Sequence, residues 1–255
     1  MLQDHENFAD VDAEFEAGLV QAPTLWRRFG AKPHFRGKDV LEIGSALGGL
    51  SAEMALEGAR SVVGVDIWEP RVEYSTRKVA ARFPELSNIR FTATPSDKMD
   101  GENQFDLVIS QNTFEHISDI DAVLGSIRRL LRPGGYAYLG FSPLYHSPFG
   151  DHSELRFPVK LPWVHLFAGR KAVIASFNKA NGAAATTLPE CGYNGHKPAD
   201  FRAAFKRSGL ELQRLRINPT EGGLKQVAMA GFTTLAGIPG LEPYFTVGMY
   251  AILRK

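Results

Sequence analysis

The sequence predicts an α/β fold with one doubly wound, mostly parallel sheet of seven strands that has helices on both faces. Apolar strand-like runs alternate with amphipathic helical stretches, which is the pattern of a parallel sheet covered on both sides. The first strand-like run ends in a glycine-rich turn, "GSALGG", as the first strand of such sheets does. A length of 255 residues with 44% hydrophobic residues suits one domain, so we assign residues 1–255 to a single domain.

Seven runs predict strands because they are rich in apolar, β-branched and aromatic residues. In chain order they are "DVLEIG", "SVVGVD", "NIRF", "FDLVIS", "YAYLGFS", "LELQRLRI" and "YFTVGMYAILRK". Helices are expected in the N-terminal segment and around "LSAEMALEG", "EPRVEYSTRKVAARF", "SDIDAVLGSIRRLL" and "PADFRAAFKRSG", and the "RPGG" turn is expected to end the helix that precedes it. After the fifth strand, residues 143–197 lose this alternation to prolines, glycines, histidines and aromatics, which predicts an insertion.

Charge and cysteine content exclude several classes of protein. A net charge of +1 gives no electrostatic reason to expect a strongly acidic or basic partner. The only cysteine, Cys191, allows neither an internal disulfide nor a cysteine-cluster metal site. The acidic start of the chain lacks the basic and apolar regions of a signal peptide, so we expect a cytoplasmic protein. The longest apolar run, "VAMAGFTTLAGIPG", is too short and too broken to span a membrane, so no membrane partner is expected.

The glycine-rich turn has the spacing Glu42-x-Gly44-x-Ala46-x-Gly48. This spacing does not match the G-x-G-x-x-G pattern of turns that bind nicotinamide dinucleotides. A carboxylate just before the turn would repel a pyrophosphate and attract a cation. The turn therefore favours a cofactor that carries an amino or sulfonium group.

These residues resemble the first motif of the class I S-adenosylmethionine-dependent methyltransferases, an acid followed by three glycines at alternate positions, with Ala46 at the middle one. The resemblance covers the pattern from about residue 38 to 142 and, more loosely, the last two strands. It implies a Rossmann-like sheet and S-adenosylmethionine as the cofactor. The residues implied for the cofactor-binding turn are Glu42, Gly44, Ser45, Ala46 and Gly48. At Ala46 the methyl group would face the approaching cofactor and crowd it mildly.

A second acid, Asp66, ends the second strand about twenty residues after the turn, where a carboxylate can accept both hydroxyls of a ribose. The resemblance makes Asp66 the ribose ligand. Ile67 and Trp68, which follow it, are expected to pack on the adenine, with packing in the core as the alternative. The alternative is that Asp66 only caps the following helix. On the loop after the third strand, Ser96 and Asp97 are assigned to the adenine amino group. The alternative is that they belong to a solvated loop with no ligand contact.

The run "FDLVISQNTFEHISDID" resembles the segment of these enzymes that follows the fourth strand. The resemblance implies that Gln111, Asn112 and Phe114 border the cofactor and that His116 lies near the transferred methyl group. The alternative for His116 is that its imidazole ties this loop to the next helix.

Transfer of a methyl group to an oxygen acceptor needs a base to remove a proton. The candidates are His116 and three residues of the insertion, His146, Asp151 and His152. The spacing in "HSPFGDHSE" matches no metal-site template, so no metal is expected. The insertion also holds aromatic residues suited to a lid over the acceptor, with packing of an irregular segment as the alternative. These aromatic residues are Tyr145, Phe149, Phe157, Trp163, Phe167 and Phe177.

The asparagine-proline-proline-aromatic signature of enzymes that methylate adenine or glutamine is absent after the fourth strand. The sequence therefore predicts a methyltransferase that acts on an oxygen or nitrogen of a small-molecule metabolite. Two alternatives stay open. One is an RNA-modifying methyltransferase, for which the basic run "RRFGAKPHFRGK" would have to continue onto the functional face. The other is a non-catalytic descendant that binds the nucleoside or a partner.

Overall fold

The computed structural model describes residues 8–152, 161–220 and 222–255. Its sheet has the strand order β3-β2-β1-β4-β5-β7-β6. The strands are β1 Asp39–Ile43, β2 Ser61–Val65, β3 Ile89–Thr92, β4 Phe105–Gln111, β5 Leu131–Phe141, β6 Glu211–Ile217 and β7 Met249–Arg254. Strand β7 is antiparallel to both of its neighbours, and the pairs from β3 across to β5 are parallel. This arrangement confirms the predicted doubly wound, mostly parallel sheet.

Helices cover both faces of the sheet. Those before the insertion are α1 Phe8–Phe29, α2 Gly49–Leu56, α3 Glu69–Arg82 and α4 Ile120–Leu130. Those that follow β5 are α5 Val164–Ala168, α6 Arg170–Asn181, α7 Pro198–Arg207, α8 Gly223–Ala236 and α9 Glu242–Phe245. Within the described residues, no helix combines the length and the apolar character needed to span a membrane.

The core has two layers because successive side chains of a strand point to opposite faces of the sheet. On β1, Val40 packs with Trp26 and Phe29 of α1 and with Met54 of α2. The next residue, Leu41, packs in the other layer with the apolar residues of α4 and α7. Both layers leave the carboxyl ends of the strands open to the loops, which is where ligands bind in sheets of this kind.

Three parts of the chain differ from the sequence-based prediction. The segment "RPGG" lies inside β5, which begins directly after α4 and pairs with a register shift against β4. The last strand begins only at Met249, because Pro243 opens the short helix α9 and holds Tyr244 and Phe245 in it. The insertion is more regular than expected, since its described part contains α5 and α6.

A charged network at the amino ends of the strands stabilises the edge opposite the predicted site. Asp39 accepts hydrogen bonds from Arg60 Nε at 2.9 Å, Ser61 Oγ at 2.7 Å and Arg132 Nη2 at 2.7 Å. Asp106 Oδ2 accepts from Arg132 Nη1 at 2.8 Å and from the Asp39 backbone N–H at 2.9 Å. The Arg60 hydrogen bond is the main reason why the pKa of Asp39 lies well below its usual range.

We expect Asp39→Asn to lower the free energy of unfolding by about 1–2 kcal/mol, the range for charge-assisted hydrogen bonds that are partly open to water. Because the folded-state pKa is depressed, this stabilisation is present above the unfolded-state pKa and is lost as the pH falls toward the folded-state value. Urea unfolding at pH 7 and at pH 3 measures both effects. The control is Asp121→Asn, which breaks the exposed pair with Arg207 and should change stability little. Equal effects of the two substitutions on the free energy of unfolding would contradict a stabilising role for the Asp39 network.

Candidate active site

The glycine-rich turn lies between β2 and the loop that follows β4. Gly44 has φ +75°, its N–H donates to the Val65 carbonyl at 2.8 Å, and a Cβ there would collide with the Thr113 side chain. Gly48 has φ +83°, and a Cβ there would lie 2.7 Å from the Phe91 ring and 2.9 Å from Ser75 Cβ. Both positions therefore require glycine, for backbone conformation and for space.

Ala46 adopts φ +45°, the left-handed conformation that glycine tolerates best. Its N–H donates to Asp66 Oδ2 at 3.0 Å, and its carbonyl accepts from Ser75 Oγ at 3.1 Å. From the sequence, the Ala46 methyl group was expected to crowd the cofactor mildly. The structure adds a backbone reason why glycine would suit this position.

Replacing Ala46 by glycine should therefore raise the free energy of unfolding by about 1 kcal/mol through relief of the left-handed strain. The hydrogen bonds to Asp66 and Ser75 use backbone atoms of residue 46 and should remain. Chemical denaturation measures the change. A matched control is Ala52→Gly in the buried middle of α2, which should destabilise because glycine weakens a helix. A loss of stability in both variants would refute the strain at Ala46.

Glu42 lies beneath the turn and is buried, with 3% of its surface exposed. Its carboxyl group accepts a hydrogen bond from the Ser51 hydroxyl of α2. Burial raises the pKa of Glu42 to about 8, and the nearby Asp66 charge adds to the rise. Burial therefore favours the protonated form of the carboxyl group, whereas a cation bound close to it would favour the ionised form. Beside it, the Ser45 hydroxyl is buried without a hydrogen-bond partner in the part of the chain that the structure describes.

Asp66 is oriented by backbone groups on both sides. Oδ2 accepts from the Ala46 N–H and Oδ1 from the Trp68 N–H, each at 3.0 Å. The Trp68 contact is a turn just before α3 and does not cap the helix, because Trp68 precedes its first residue, Glu69. Each carboxylate oxygen keeps a second lone pair for a hydroxyl group. The next side chain, Ile67, is 81% exposed, which leaves an apolar surface free beside the carboxylate.

The adenine assignment of Ser96 and Asp97 stays a prediction. Both lie on a short 3₁₀ turn, Ser96–Lys98, and Ser96 is buried 3.4 Å from the Ser126 hydroxyl of α4. Asp97 is exposed. No sequence pattern singled out Thr94, which is exposed and whose hydroxyl lies 3.1 Å from that of Thr92 at the carboxyl end of β3.

Gln111, the last residue of β4, keeps a buried acceptor without a partner in the described part of the chain. Gln111 Nε2 donates to Asn112 Oδ1 at 2.8 Å, whereas Gln111 Oε1 is buried and has no hydrogen-bond partner among the described residues. Asn112 is exposed and left-handed, with φ +50°. Phe114 differs from the two polar residues, because its ring is 1% exposed and stacks on Phe141 in the core at 5.8 Å. The Phe114 side chain is therefore enclosed in the core, whereas Gln111 keeps a polar atom without a partner within the described ranges.

His116 and His152 come together although they are distant in sequence. Their ring centroids are 5.1 Å apart, and the His152 ring lies 5.8 Å from the ring of Tyr193. His116 Nδ1 lies 2.6 Å from the Gly192 carbonyl oxygen, so in the neutral ring Nδ1 carries the proton and Nε2 is the free acceptor. His152 is exposed as a residue, yet desolvation by the surrounding protein and the neighbouring His116 lower its pKa to about 4.

The other two candidate bases lie deeper in the insertion. The Asp151 side chain is buried, and its Oδ1 lies 3.7 Å from Nδ1 of the buried His165. His146 is half-buried beside Tyr145, and its Nδ1 has no hydrogen-bond partner among the described residues. Burial lowers the pKa of His146. Of the four candidates, the structure therefore brings only His116 and His152 into direct ring contact.

The insertion is fastened to the loop after β4. Asn194 Nδ2 donates to the carbonyls of Phe114 at 2.7 Å and Ile117 at 2.9 Å. The insertion has its own small core, formed by Tyr145, Val173, Phe177, Leu188, Cys191 and Tyr193. Phe149 and Phe167 are exposed, and Phe157 lies outside the described residues. Within the described part of the chain, no group of three histidine, cysteine or acidic side chains converges as metal ligands would.

Glu115 lies in the loop after β4 and was not among the site residues that the sequence predicts. This residue is buried, and its Oε1 accepts from the Ser142 backbone N–H at 3.2 Å, directly after β5. Burial raises the pKa of the Glu115 carboxyl group to about 8. A glutamate next to a histidine in a polar run would be expected at the surface, and only the tertiary structure reveals its burial.

Comparisons with known proteins agree with this architecture. A family profile described as "Methyltransferase domain" matches residues 40–135. A ubiquinone biosynthesis O-methyltransferase of Mesorhizobium japonicum is 34% identical over 116 residues, which are 44% of this chain and 45% of that protein. A protein of the same name from Acinetobacter baylyi is 29% identical over 114 residues, 44% of this chain and 46% of that protein. The chain thus spans about half the length of the curated relatives it matches.

Solved structures share the fold across almost the whole chain. An S-adenosylmethionine-dependent methyltransferase of Mesorhizobium loti has a TM-score of 0.61 at 17% identity, covering 96% of this chain and 100% of that one. Phosphoethanolamine N-methyltransferase 2 of Haemonchus contortus, in complex with S-adenosylmethionine, has a TM-score of 0.63 at 16% identity, covering 99% of this chain and 58% of that one. At these identities the likeness establishes the fold alone.

Proposed function

The chain carries a methyltransferase domain of the class I S-adenosylmethionine-dependent type, and we propose that it transfers a methyl group to an oxygen atom of a small-molecule acceptor. The observation that carries the choice of oxygen is the orientation of His116. Its Nδ1 is held by the Gly192 carbonyl, so Nε2 is available to take a proton from a hydroxyl group. The names of the relatives, O-methyltransferases of ubiquinone biosynthesis, support an oxygen acceptor.

The residues of the carboxyl edge fit S-adenosylmethionine. Asp66 has lone pairs for ribose hydroxyls, Ile67 offers an exposed apolar surface for the adenine, and the partnerless Gln111 Oε1 suits an ammonium donor. The buried Glu42 adds a group whose ionised form a cation would stabilise. When bound, this cofactor supplies an electrophilic methyl group. The chain itself then has to orient the acceptor, exclude water and remove a proton.

The histidine pair divides these tasks. His116 accepts the hydroxyl proton at Nε2, and the imidazolium that forms still donates from Nδ1 to the Gly192 carbonyl. His152, with a pKa of about 4, stays neutral at physiological pH and therefore does not repel the imidazolium. It also offers a hydrogen bond to the acceptor. In this proposal His116 is the catalytic base, and His152 is a positioning residue.

The insertion of residues 143–197 would act as the lid over the acceptor. Gly192, which orients His116, and Asn194, which holds the loop after β4, both belong to it. Movement of the lid would therefore shift the base. The rings of Tyr145 and Tyr193, 5.6 Å apart, continue the aromatic surface from His152 and would suit an acceptor with a flat or apolar part. The cytoplasmic location expected from the sequence stays a prediction.

We expect Asp66→Ala to weaken S-adenosylhomocysteine binding by about 1.5–3 kcal/mol, the scale of lost charge-assisted hydrogen bonds. The loss has two sources, the ribose contacts and the orientation of the turn by the Ala46 N–H. Titration calorimetry measures it, and Asp97→Ala, at an exposed residue of the 3₁₀ turn, tests the adenine assignment under the same conditions. If the folded Asp66→Ala protein keeps the parental dissociation constant, Asp66 only orders the backbone at Ala46 and Trp68.

The activity itself is tested by incubating the full chain with tritium-methyl S-adenosylmethionine and three pools of acceptors. These pools are hydroxylated aromatic metabolites, small amines and total RNA. The proposal predicts label in the hydroxylated pool as base-stable methyl ethers. Label in the amines would indicate a nitrogen acceptor instead of an oxygen acceptor, and label in RNA would indicate an RNA-modifying methyltransferase. No label in any pool, with tight S-adenosylhomocysteine binding, would favour a non-catalytic descendant.

A further inference from the structure

Helix α8 is an apolar helix that the fold leaves exposed. None of its residues is buried, and its sequence, "GLKQVAMAGFTTLA", contains one charged residue, Lys225. Leu224 is 90% exposed, Val227 71%, and Ile238 just beyond the helix 46%. Single exposed apolar side chains are normal, but several on one short segment indicate an interaction surface.

One face of α8 is already used within the chain. Phe232 packs against Phe245 of α9 and Trp163 of the insertion, with ring centroids 5.4 Å and 6.3 Å away. Trp163 Nε1 also donates to the Tyr244 carbonyl at 3.0 Å. Leu224 lies about two turns, roughly 12 Å, before Phe232 along the helix, and Val227 lies about 140° around the helix axis from Phe232. Both side chains therefore lie away from the ring contacts that anchor α8, which agrees with their exposure.

The exposed apolar residues are concentrated around this anchor. Seven of the eleven large hydrophobic residues exposed in the described chain lie in the insertion or in the β6–β7 connection. They are Phe149, Leu161, Phe167, Leu224, Val227, Ile238 and Tyr244. Both segments lie at the carboxyl edge, because β5 and β6 run in the same direction and end there. The apolar surface is therefore on the same side of the molecule as the candidate active site.

We propose that α8 and the α5 region form a surface that binds an anionic lipid membrane peripherally. The charges next to the exposed apolar residues favour this occupant, because Arg170 and Lys171 follow Phe167 and Lys225 follows Leu224, all of them exposed. Glu242, at the start of α9, is paired with Arg202. Apolar side chains with adjacent cations are typical of segments that lie in the headgroup region. A helix of 14 residues is about 21 Å long, which suits lying on a bilayer but not crossing it.

A second copy of the chain fits this surface less well. Helix α8, about 21 Å long and about 10 Å wide, offers on the order of 200 Å² of contact, and the five residues of α5 add on the order of 75 Å². A stable dimer interface requires about 800 Å² from each partner. A membrane imposes no such requirement, since each apolar side chain that enters the headgroup boundary contributes separately. The sequence expectation of no membrane partner considered only spanning segments and did not address a peripheral surface.

The test is cosedimentation of the full chain with vesicles of phosphatidylglycerol and phosphatidylcholine, and with vesicles of phosphatidylcholine alone. We expect binding to the anionic vesicles that weakens with salt, and binding at least tenfold weaker for the double variant Leu224→Glu with Val227→Glu. The matched control is Val20→Glu with Leu56→Glu, which makes the same changes at exposed sites on α1 and α2 and should bind within twofold of the parent. Affinity for S-adenosylhomocysteine should be the same in all three proteins.

Three results would overturn the proposal. They are absence of parental binding to the anionic vesicles, equal binding by the α8 variant, and a dimer in analytical ultracentrifugation that only the α8 variant loses. The last result would assign the surface to a second copy. Because the readout is lipid binding, a chain that methylates its acceptor but ignores vesicles contradicts this inference alone.

Discussion

Substituting glutamine for His116 is expected to reduce kcat by a factor of about 10²–10⁴, the usual contribution of a general base. Glutamine keeps an N–H that can donate to the Gly192 carbonyl, but it cannot take a proton from the acceptor. S-Adenosylhomocysteine affinity should stay within threefold, about 0.7 kcal/mol. Single-turnover methyl transfer combined with titration calorimetry separates the two effects.

Two controls distinguish a base from a structural tie. His34→Gln changes an exposed histidine before β1, near the opposite edge of the sheet, and should leave kcat unchanged. In the His116→Gln enzyme, activity should partly recover at high pH, where a hydroxyl acceptor ionises without help. A structural defect would not be repaired in this way. If kcat falls less than tenfold, His116 only connects the loop after β4 to the insertion.

The second large effect is expected at Gly48. An alanine there would combine a left-handed backbone with a Cβ 2.7 Å from the Phe91 ring and 2.9 Å from Ser75 Cβ. We expect Gly48→Ala to lower the free energy of unfolding by about 2–4 kcal/mol, from backbone strain plus overpacking. Binding of S-adenosylhomocysteine should weaken at least tenfold, because the clash can be relieved only by moving the turn or β3.

Gly37→Ala is a matched control for Gly48→Ala. Gly37 has φ +72°, and a Cβ there would meet no atom within 4 Å. This substitution should therefore cause only the strain of about 1 kcal/mol and should not affect ligand binding. Urea unfolding and calorimetry on both variants make the comparison. If Gly48→Ala is no worse than Gly37→Ala, the turn does not depend on close packing against Phe91.

Local patterns in the sequence predicted the sheet and the turn because both depend on neighbouring residues. The apolar run of β1 and the spacing of Gly44, Gly48 and Asp66 are set within about thirty residues of chain. The hydrogen bond that orients His116 is different, because it joins residues 76 positions apart. No periodic pattern encodes such a contact. The sequence therefore identified His116 and His152 as separate candidate bases but did not predict that their rings are in contact.

The sequence also did not reveal where a charged residue is buried or where an apolar segment is exposed. Glu115 follows Phe114 in a loop, and nothing local shows that its carboxyl group enters the core beside β5. Helix α8 is the converse case, an apolar segment that remains outside. Its sequence has no polar face to give an amphipathic period, so neither a helix nor its exposure followed from the pattern. The burial of Glu115 and the exposure of α8 both depend on tertiary contacts, which are defined only in the folded chain.

The central claim is that the carboxyl edge binds S-adenosylmethionine through Asp66 and the turn after Glu42, and titration calorimetry of the full chain tests it most directly. Titrations with S-adenosylhomocysteine and with NADH are compared at pH 7. The account predicts one site for S-adenosylhomocysteine per chain, weakened at least tenfold by Asp66→Ala, and no heat of binding with NADH. Tight binding of NADH without detectable binding of S-adenosylhomocysteine would contradict the account.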